Sequence, residues 1–261
     1  MIRFLKDWAI RRNIYFAKTT EESKLKELLK AIRPVKAHLI RLGDGPDDAG
    51  YLIPDDLEGI KNCFSPGVST ESYFEDALSR MGIKSYMADH SVMKPTIQNN
   101  QFDFIQKHVG FEIKPHFISL ENWIKEKENV DKDMILQMDI EGGEYNVLIE
   151  TSNEVLRKFR IIVIEFHKFD AILNVKSADF IASCLYKLLK DFYVVHIHPN
   201  NCARPVRYKQ FEIPPTLEFT FLRKDRISTI EYADQFPHPL DKVNVPKLKE
   251  VILPACFYKD I

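Results

Sequence analysis

The chain has 261 residues, enough for one large α/β domain with appendages. Hydrophobic residues make up 45% and charged residues 29%, ordinary proportions for a folded globular protein, and a formal net charge of −1 gives no reason to expect nucleic acid or another polyanion as partner. No apolar run approaches the roughly 18 residues needed to span a bilayer, and the N-terminus lacks a continuous apolar signal region, so the expected location is the cytoplasm.

Residues 1–18 interleave Arg3, Lys6, Arg11, Arg12 and Lys18 with Phe4, Leu5, Trp8, Ile10, Ile14, Tyr15 and Phe16. Such a segment lies on an anionic membrane, on the protein's own body or on a second subunit. Only five scattered basic residues are present, which favours protein and makes a homo-oligomer through the N-terminal helices an expectation. Thr19-x-x-Glu22 reads as a capping box for a helix whose Leu25, Leu28, Leu29 and Ile32 fall on one face, and Pro34 closes it. These elements form an N-terminal extension over residues 1–38.

From residue 39 strands and helices alternate. A strand is expected over 60–64, a helix over 70–81 with Gly82 as its stop, and a strand over 84–88. A polar connection leads to a weaker strand at 116–119 and a helix over 120–127. A strand from Met134, a helix from Glu144 and a strand from Arg160 follow. Ser177 caps a helix with Phe180, Ile181, Cys184, Leu185, Leu188 and Leu189 inward, and strands at 193–197 and 217–222 close the domain. Alternation of this kind implies right-handed crossovers and a mainly parallel sheet of about seven strands with helices on both faces. The last two strands have no helix between them, so they pair as an antiparallel hairpin at one edge. The main domain spans 39–223, and residues 224–261 are an extension that wraps it. Cys63, Cys184, Cys202 and Cys256 lack metal or redox spacing and read as reduced thiols.

In an open α/β sheet ligands bind beyond the carboxyl ends of the strands. Met134-Ile-Leu-Gln-Met-Asp-Ile-Glu-Gly-Gly-Glu144 is an apolar strand ending in carboxylates that a dry sheet would not hold unpartnered, so it stops at a pocket rim. The next strand ends Glu165-Phe-His167. Asp139, Glu141, Glu165 and His167 therefore fall at neighbouring strand ends, while Glu144 fits a helix N-terminus. Phe64-Ser-Pro-Gly-Val-Ser-Thr70 is either a strand-to-helix turn or a ligand loop. Asp89, 22 residues after Gly67, is either a turn residue or an acceptor for the two ribose hydroxyls of an adenosine ligand. With one glycine, and Pro66 removing a donor, the loop is unsuited to a pyrophosphate and tolerates a sulfonium ligand.

Six ordered blocks extend the pattern: Arg41-Leu-Gly-Asp-Gly-Pro-Asp-Asp-Ala-Gly-Tyr-Leu-Ile53, Ser65-Pro-Gly-Val-Ser-Thr-Glu-Ser-Tyr-Phe-Glu75, Ala88-Asp-His90, Met138-Asp-Ile-Glu-Gly-Gly-Glu144, Glu165-Phe-His167 and His196-Ile-His-Pro-Asn-Asn201. Between about 40 and 241 the chain resembles the FkbM-type family of S-adenosylmethionine-dependent O-methyltransferases. The loop departs from the family in carrying Gly67-Val-Ser69 where Gly-Val-Gly is usual. The resemblance implies the Rossmann-like class I methyltransferase fold, with S-adenosylmethionine held by Asp48, Tyr51, Ser65, Gly67, Ser69, Asp89, His90, Ser119 and Asp139. It also implies a hydroxyl acceptor on a small molecule, sugar or glycan precursor, as in polysaccharide biosynthesis. Asp139, Glu141, Glu165 and His167 would activate that hydroxyl, either as a base or by holding a divalent metal. His196, His198, Asn200 and Asn201 form a substrate wall or a polar turn. The alternatives are a metal-dependent hydrolase using Asp139, Glu141 and Glu165, and an inactive binding subunit of the same fold.

Overall fold

The computed structural model describes residues 6, 8–45, 50–127 and 133–260. Asp48 lies outside the described residues, as do Arg3, Phe4 and Leu5.

Seven strands form the central sheet in the order β10-β13-β9-β8-β3-β4-β5. They are β3 (Asn62–Pro66), β4 (Lys84–Ala88), β5 (Phe102–Ile105), β8 (Met134–Met138), β9 (Phe159–Phe166), β10 (Phe192–Pro199) and β13 (Leu217–Arg223). The pairs from β9 across to β5 are parallel, and β13 runs antiparallel to both β9 and β10. The expected hairpin does form one edge of the sheet, with the antiparallel strand as its inner member. Every residue of β3, β8 and β9 is buried, as parallel strands covered on both faces require. Side chains alternate between two cores. Phe64, Leu136 and Ile162 join the core packed by helices Glu22–Ala31, Leu120–Lys125, Glu144–Glu150 and Val175–Leu189. Cys63, Ile135 and Ile161 face the other core, under helix Tyr73–Arg80 and the hairpin of β1 (Leu39–Leu42) and β2 (Tyr51–Pro54).

Several local expectations are corrected. The seventh sheet strand is β5, inside the segment read as a polar connection; its Phe102-Asp-Phe-Ile105 is apolar at three of four positions but short and only half-buried. Residues 117–118 instead form β7, which pairs with β6 (His108–Val109) in a separate small sheet. Another small hairpin, β11 (Val206–Tyr208) with β12 (Phe211–Ile213), lies between β10 and β13. Thr19 is not a helix cap: it bridges to Asn174, and Glu22 binds Lys209 and Gln210. Asn174, not Ser177, caps helix Val175–Leu189 by accepting from the Lys176 amide at 2.9 Å. Phe180 points outward on that helix.

The first helical turn docks on the body through Ala9, and Lys176 bonds the Tyr15 hydroxyl, yet Trp8, Ile10, Ile14 and Phe16 stay exposed. Leu25, Leu28 and Leu29 join the main core, as do Leu253 and Phe257 from the chain's far end. All four cysteines are free, and only Cys202 is exposed. Among the described residues, no helix is long and apolar enough to cross a membrane.

Candidate active site

A cleft of about 470 Å³ opens at the carboxyl ends of β3, β4 and β8, lined by Gly67, Ser69, Asp89, Asp139, Ile140 and Glu141 together with Lys107, His108, Phe111, Phe117 and Asn146. Its floor is set by a close approach of two segments, the turns that follow β3 and β8. Gly67 has φ +85°, and a Cβ there would sit 1.5 Å from the Asp139 carbonyl oxygen. Its amide donates to Ala88 O at 2.9 Å, while the Asp139 amide donates to Pro66 O at 3.1 Å. The glycine is thus required by the meeting of three strand ends, whatever ligand the loop serves. Ser69, itself left-handed at φ 48°, donates its amide to Asp89 Oδ2 at 2.8 Å, and Ser91 donates both amide and hydroxyl to Oδ1. Neither Ser69 nor Thr70 caps a helix, since the helix begins at Tyr73. Oδ2 of Asp89 retains acceptor capacity facing the cleft.

Beside this loop the Asp139-Ile-Glu-Gly-Gly-Glu144 turn folds over Glu144. That side chain is fully buried and accepts from the Ile140 amide at 3.2 Å and the Gly142 amide at 3.0 Å. The expected helix-terminus position is correct, but Glu144 does more than sit there: its Oε1 also lies 3.0 Å from His167 Nδ1. On the other side of the ring, His167 Nε2 is 3.4 Å from Glu141 and 3.8 Å from Asp139. Glu141 projects into solvent from a left-handed backbone position. Glu165 is buried at the end of β9 and accepts from Asn200 Nδ2 at 2.8 Å.

The structure thus gathers Asp139, Glu141, Glu165 and His167 into one group. Burial, then the charge of Glu165 and a hydrogen bond shared with it, push the Asp139 carboxyl far above the usual carboxylate range. Two acids this close disfavour each other's ionisation. For His167, burial disfavours the charged ring, but the hydrogen bond and charge of Glu144 and the fields of Glu165 and Glu141 outweigh it, so its pKa is raised.

Other residues expected at the cofactor lie elsewhere. Ser65 is wholly buried, donates to Gln137 Oε1 at 2.6 Å and bonds Glu75. Gln137 in turn donates to the Tyr51 hydroxyl at 3.1 Å, so Ser65 and Tyr51 belong to a polar chain under the loop and do not line the cleft. Ser119 caps helix Leu120–Lys125 by accepting from the Asn122 amide at 3.2 Å and faces a neighbouring cleft with Glu121 and Glu150. His90 packs against His108 and His116, with ring centroids 4.6 and 5.0 Å away, behind the cleft wall. The wall residues Lys107, His108 and Phe111 went unread because they sit in the segment read as a polar connection, and Phe117 was read only as part of the strand expected at 116–119.

Residues 70–188 match the model of the methyltransferase FkbM domain. Solved structures of similar shape include a S-adenosylmethionine-dependent methyltransferase from Listeria monocytogenes described as putative (9% identity, 63% of this chain and 90% of that one, TM-score 0.38). A TehB-like S-adenosylmethionine-dependent methyltransferase from Corynebacterium glutamicum gives 10% identity, 85% and 97% coverage and a TM-score of 0.33. The fibrillarin/Nop5p complex gives 12%, 62% and 72%, and 0.37. At these TM-scores the likenesses carry no functional inference. No curated protein matches the chain. Residues 70–188 thus carry the match to the methyltransferase FkbM domain, and a seven-stranded sheet whose antiparallel strand is inserted beside the edge, with a cleft at its carboxyl end, is the class I methyltransferase fold.

Proposed function

We propose that the chain methylates a hydroxyl group, with a sugar or glycan precursor as acceptor. The observation that carries this reading is the paired acid Asp139–Glu165 at the edge of a cleft whose opposite side presents Asp89. S-adenosylmethionine, when bound, supplies an electrophilic methyl group. Asp89, Gly67, Ser69 and the wall formed by His108 and Phe117 would hold it, and the Asp89 carboxylate would accept from the ribose hydroxyls.

A sugar hydroxyl is a poor nucleophile at neutral pH and needs a base within hydrogen-bond reach. The carboxylates at the ends of β8 and β9 are the groups placed to take it. His167, its Nδ1 fixed by buried Glu144, turns Nε2 towards Asp139 and Glu141, where it can bind and orient the acceptor or take its proton. In-line transfer requires the acceptor oxygen about 3–3.5 Å from the methyl carbon. Exposed Glu141 lies at the open side of the group, where a large polyhydroxylated substrate would enter.

One observation favours a divalent metal as activator instead. Asp139 Oδ1 and Glu144 Oε2 are buried without a hydrogen-bond donor, and Asp139, Glu144 and His167 bring ligand atoms within 4.8 Å of one another. Hard oxygen ligands of this kind suit Mg²⁺ or Mn²⁺. Methyl transfer to candidate glycans, followed with and without a chelator, separates the two activations.

The cofactor assignment is tested by calorimetry with S-adenosylhomocysteine. Asp89→Ala should cost about 1–3 kcal/mol of binding, the value of a charge-assisted hydrogen bond lost on one side. Unchanged affinity in the folded variant would remove the assignment.

A further inference from the structure

A second group of ligating side chains lies two strands away. β10 places His196 and His198 on one face, their rings stacked at 6.4 Å and 13°. The C-terminal extension brings Asp241 between them, with Oδ1 2.9 Å from His196 Nε2 and 3.5 Å from His198 Nδ1. The three ligand atoms lie within 4.8 Å of one another. Bonds of ~2.0–2.1 Å in a tetrahedral shell put neighbouring donor atoms about 3.3 Å apart, and the two measured separations bracket that value.

The surroundings orient these atoms as metal ligands are oriented. His198 is 5% exposed, and its Nδ1 faces Asp241 across 3.5 Å without an ordinary hydrogen bond. Its Nε2 donates to Asn244 Oδ1 at 3.0 Å, and that amide is in turn directed by donating Nδ2 to Glu218 at 2.5 Å. A ring whose Nε2 is committed to a carbonyl presents Nδ1 as its lone pair, the arrangement by which a second layer of residues fixes the tautomer of a metal-bound histidine. His238, with its ring 5.8 Å from that of His196, lines a cleft of about 330 Å³ beside the group and leaves room for a fourth ligand from solvent.

We propose that His196, His198 and Asp241 bind one divalent transition-metal ion, of the zinc class, that fastens the C-terminal extension across the edge strand β10. Two imidazoles and one carboxylate select such ions over Mg²⁺ or Ca²⁺. The competing occupant of the same position is a proton shared with Asp241.

Full-length protein stripped with a chelator is titrated with Zn²⁺ alone by calorimetry and with Co²⁺ alone by visible absorption. The expected result is one tight equivalent per chain, weakened at least tenfold by Asp241→Asn and by His198→Ala and retained in Asp139→Asn. X-ray absorption of the zinc-loaded wild type should count two imidazoles, which decides the matter even where a variant fails to fold. No stoichiometric binding by folded wild type overturns the proposal. So does a shell with fewer than two imidazoles, or a site that survives Asp241→Asn and disappears with Asp139→Asn. Binding is read without S-adenosylmethionine or acceptor, so failure here leaves the methyltransferase reading intact.

Discussion

At the amino ends of β8 and β9, Asp133 meets Arg160 at 3.1 Å and Arg223 at 2.6 Å, while Asp56 meets Arg160 and Arg226. Arg160, nearly buried, also donates to the carbonyls of Asp56 and Glu58. At the carboxyl ends of the same two strands, Asp139, Glu141, Glu144 and Glu165 crowd around one histidine and one asparagine. The pKa directions follow. The two arginines hold Asp133 below its ordinary value in spite of its burial, whereas burial and Glu165 push Asp139 far up. One end of the sheet is electrostatically compensated and the other is left short of positive charge. That difference separates a structural end from a chemical one.

Breaking the compensated end should have the largest effect. Arg160→Met takes one of two arginines from both Asp133 and Asp56 and leaves the Asp56 and Glu58 carbonyls without this donor, and should cost about 3 kcal/mol in urea unfolding. Gly67→Ala should come next, because the added Cβ cannot coexist with the Asp139 carbonyl and the φ of +85° is unfavourable to alanine. A loss of more than about 2 kcal/mol is expected, with weaker S-adenosylhomocysteine binding.

Much of this contrast could be read from the sequence. The apolar runs ending at Asp139 and His167 located both strands and their carboxyl ends, because buried parallel strands are nearly continuous in hydrophobicity. The fold class followed from the same alternation. What failed was local and short. Phe102-Asp-Phe-Ile105 is a strand only because β4 offers it an edge. Helix starts moved by two or three residues because caps depend on tertiary neighbours: Thr20 reaches back to the Ile172 carbonyl, and Asn174 takes the role assigned to Ser177. Within the site, spacing could not separate residues that face the cleft from those beneath it. Ser65 and Tyr51 look like loop residues in sequence yet form a buried chain with Gln137 and Glu75. Glu144 was placed at its helix, but its grip on His167 is a long-range contact with no sequence signal.

That buried chain sharpens the comparison by pH. Burial raises the Glu75 carboxyl to about 7 from an ordinary 4.5. The folded protein therefore holds this proton more tightly than the unfolded chain. Its stabilising contribution is complete below about 4.5 and is lost as pH rises towards 7. Melting temperature measured across that window should fall in the wild type and fall less steeply in Glu75→Gln, whose amide does not titrate. Identical slopes would assign the dependence to other groups.

The contrast between the two sheet ends is tested most directly by the unfolding free energy of Asp139→Asn at neutral pH, measured beside wild type and Arg160→Met. If burial and the neighbouring acids keep Asp139 from ionising at the carboxyl end, replacing it with a neutral isostere should leave stability unchanged or raise it. A loss for Asp139→Asn comparable to that for Arg160→Met would mean that the carboxylate is as well compensated as those at the amino end, and would contradict the account.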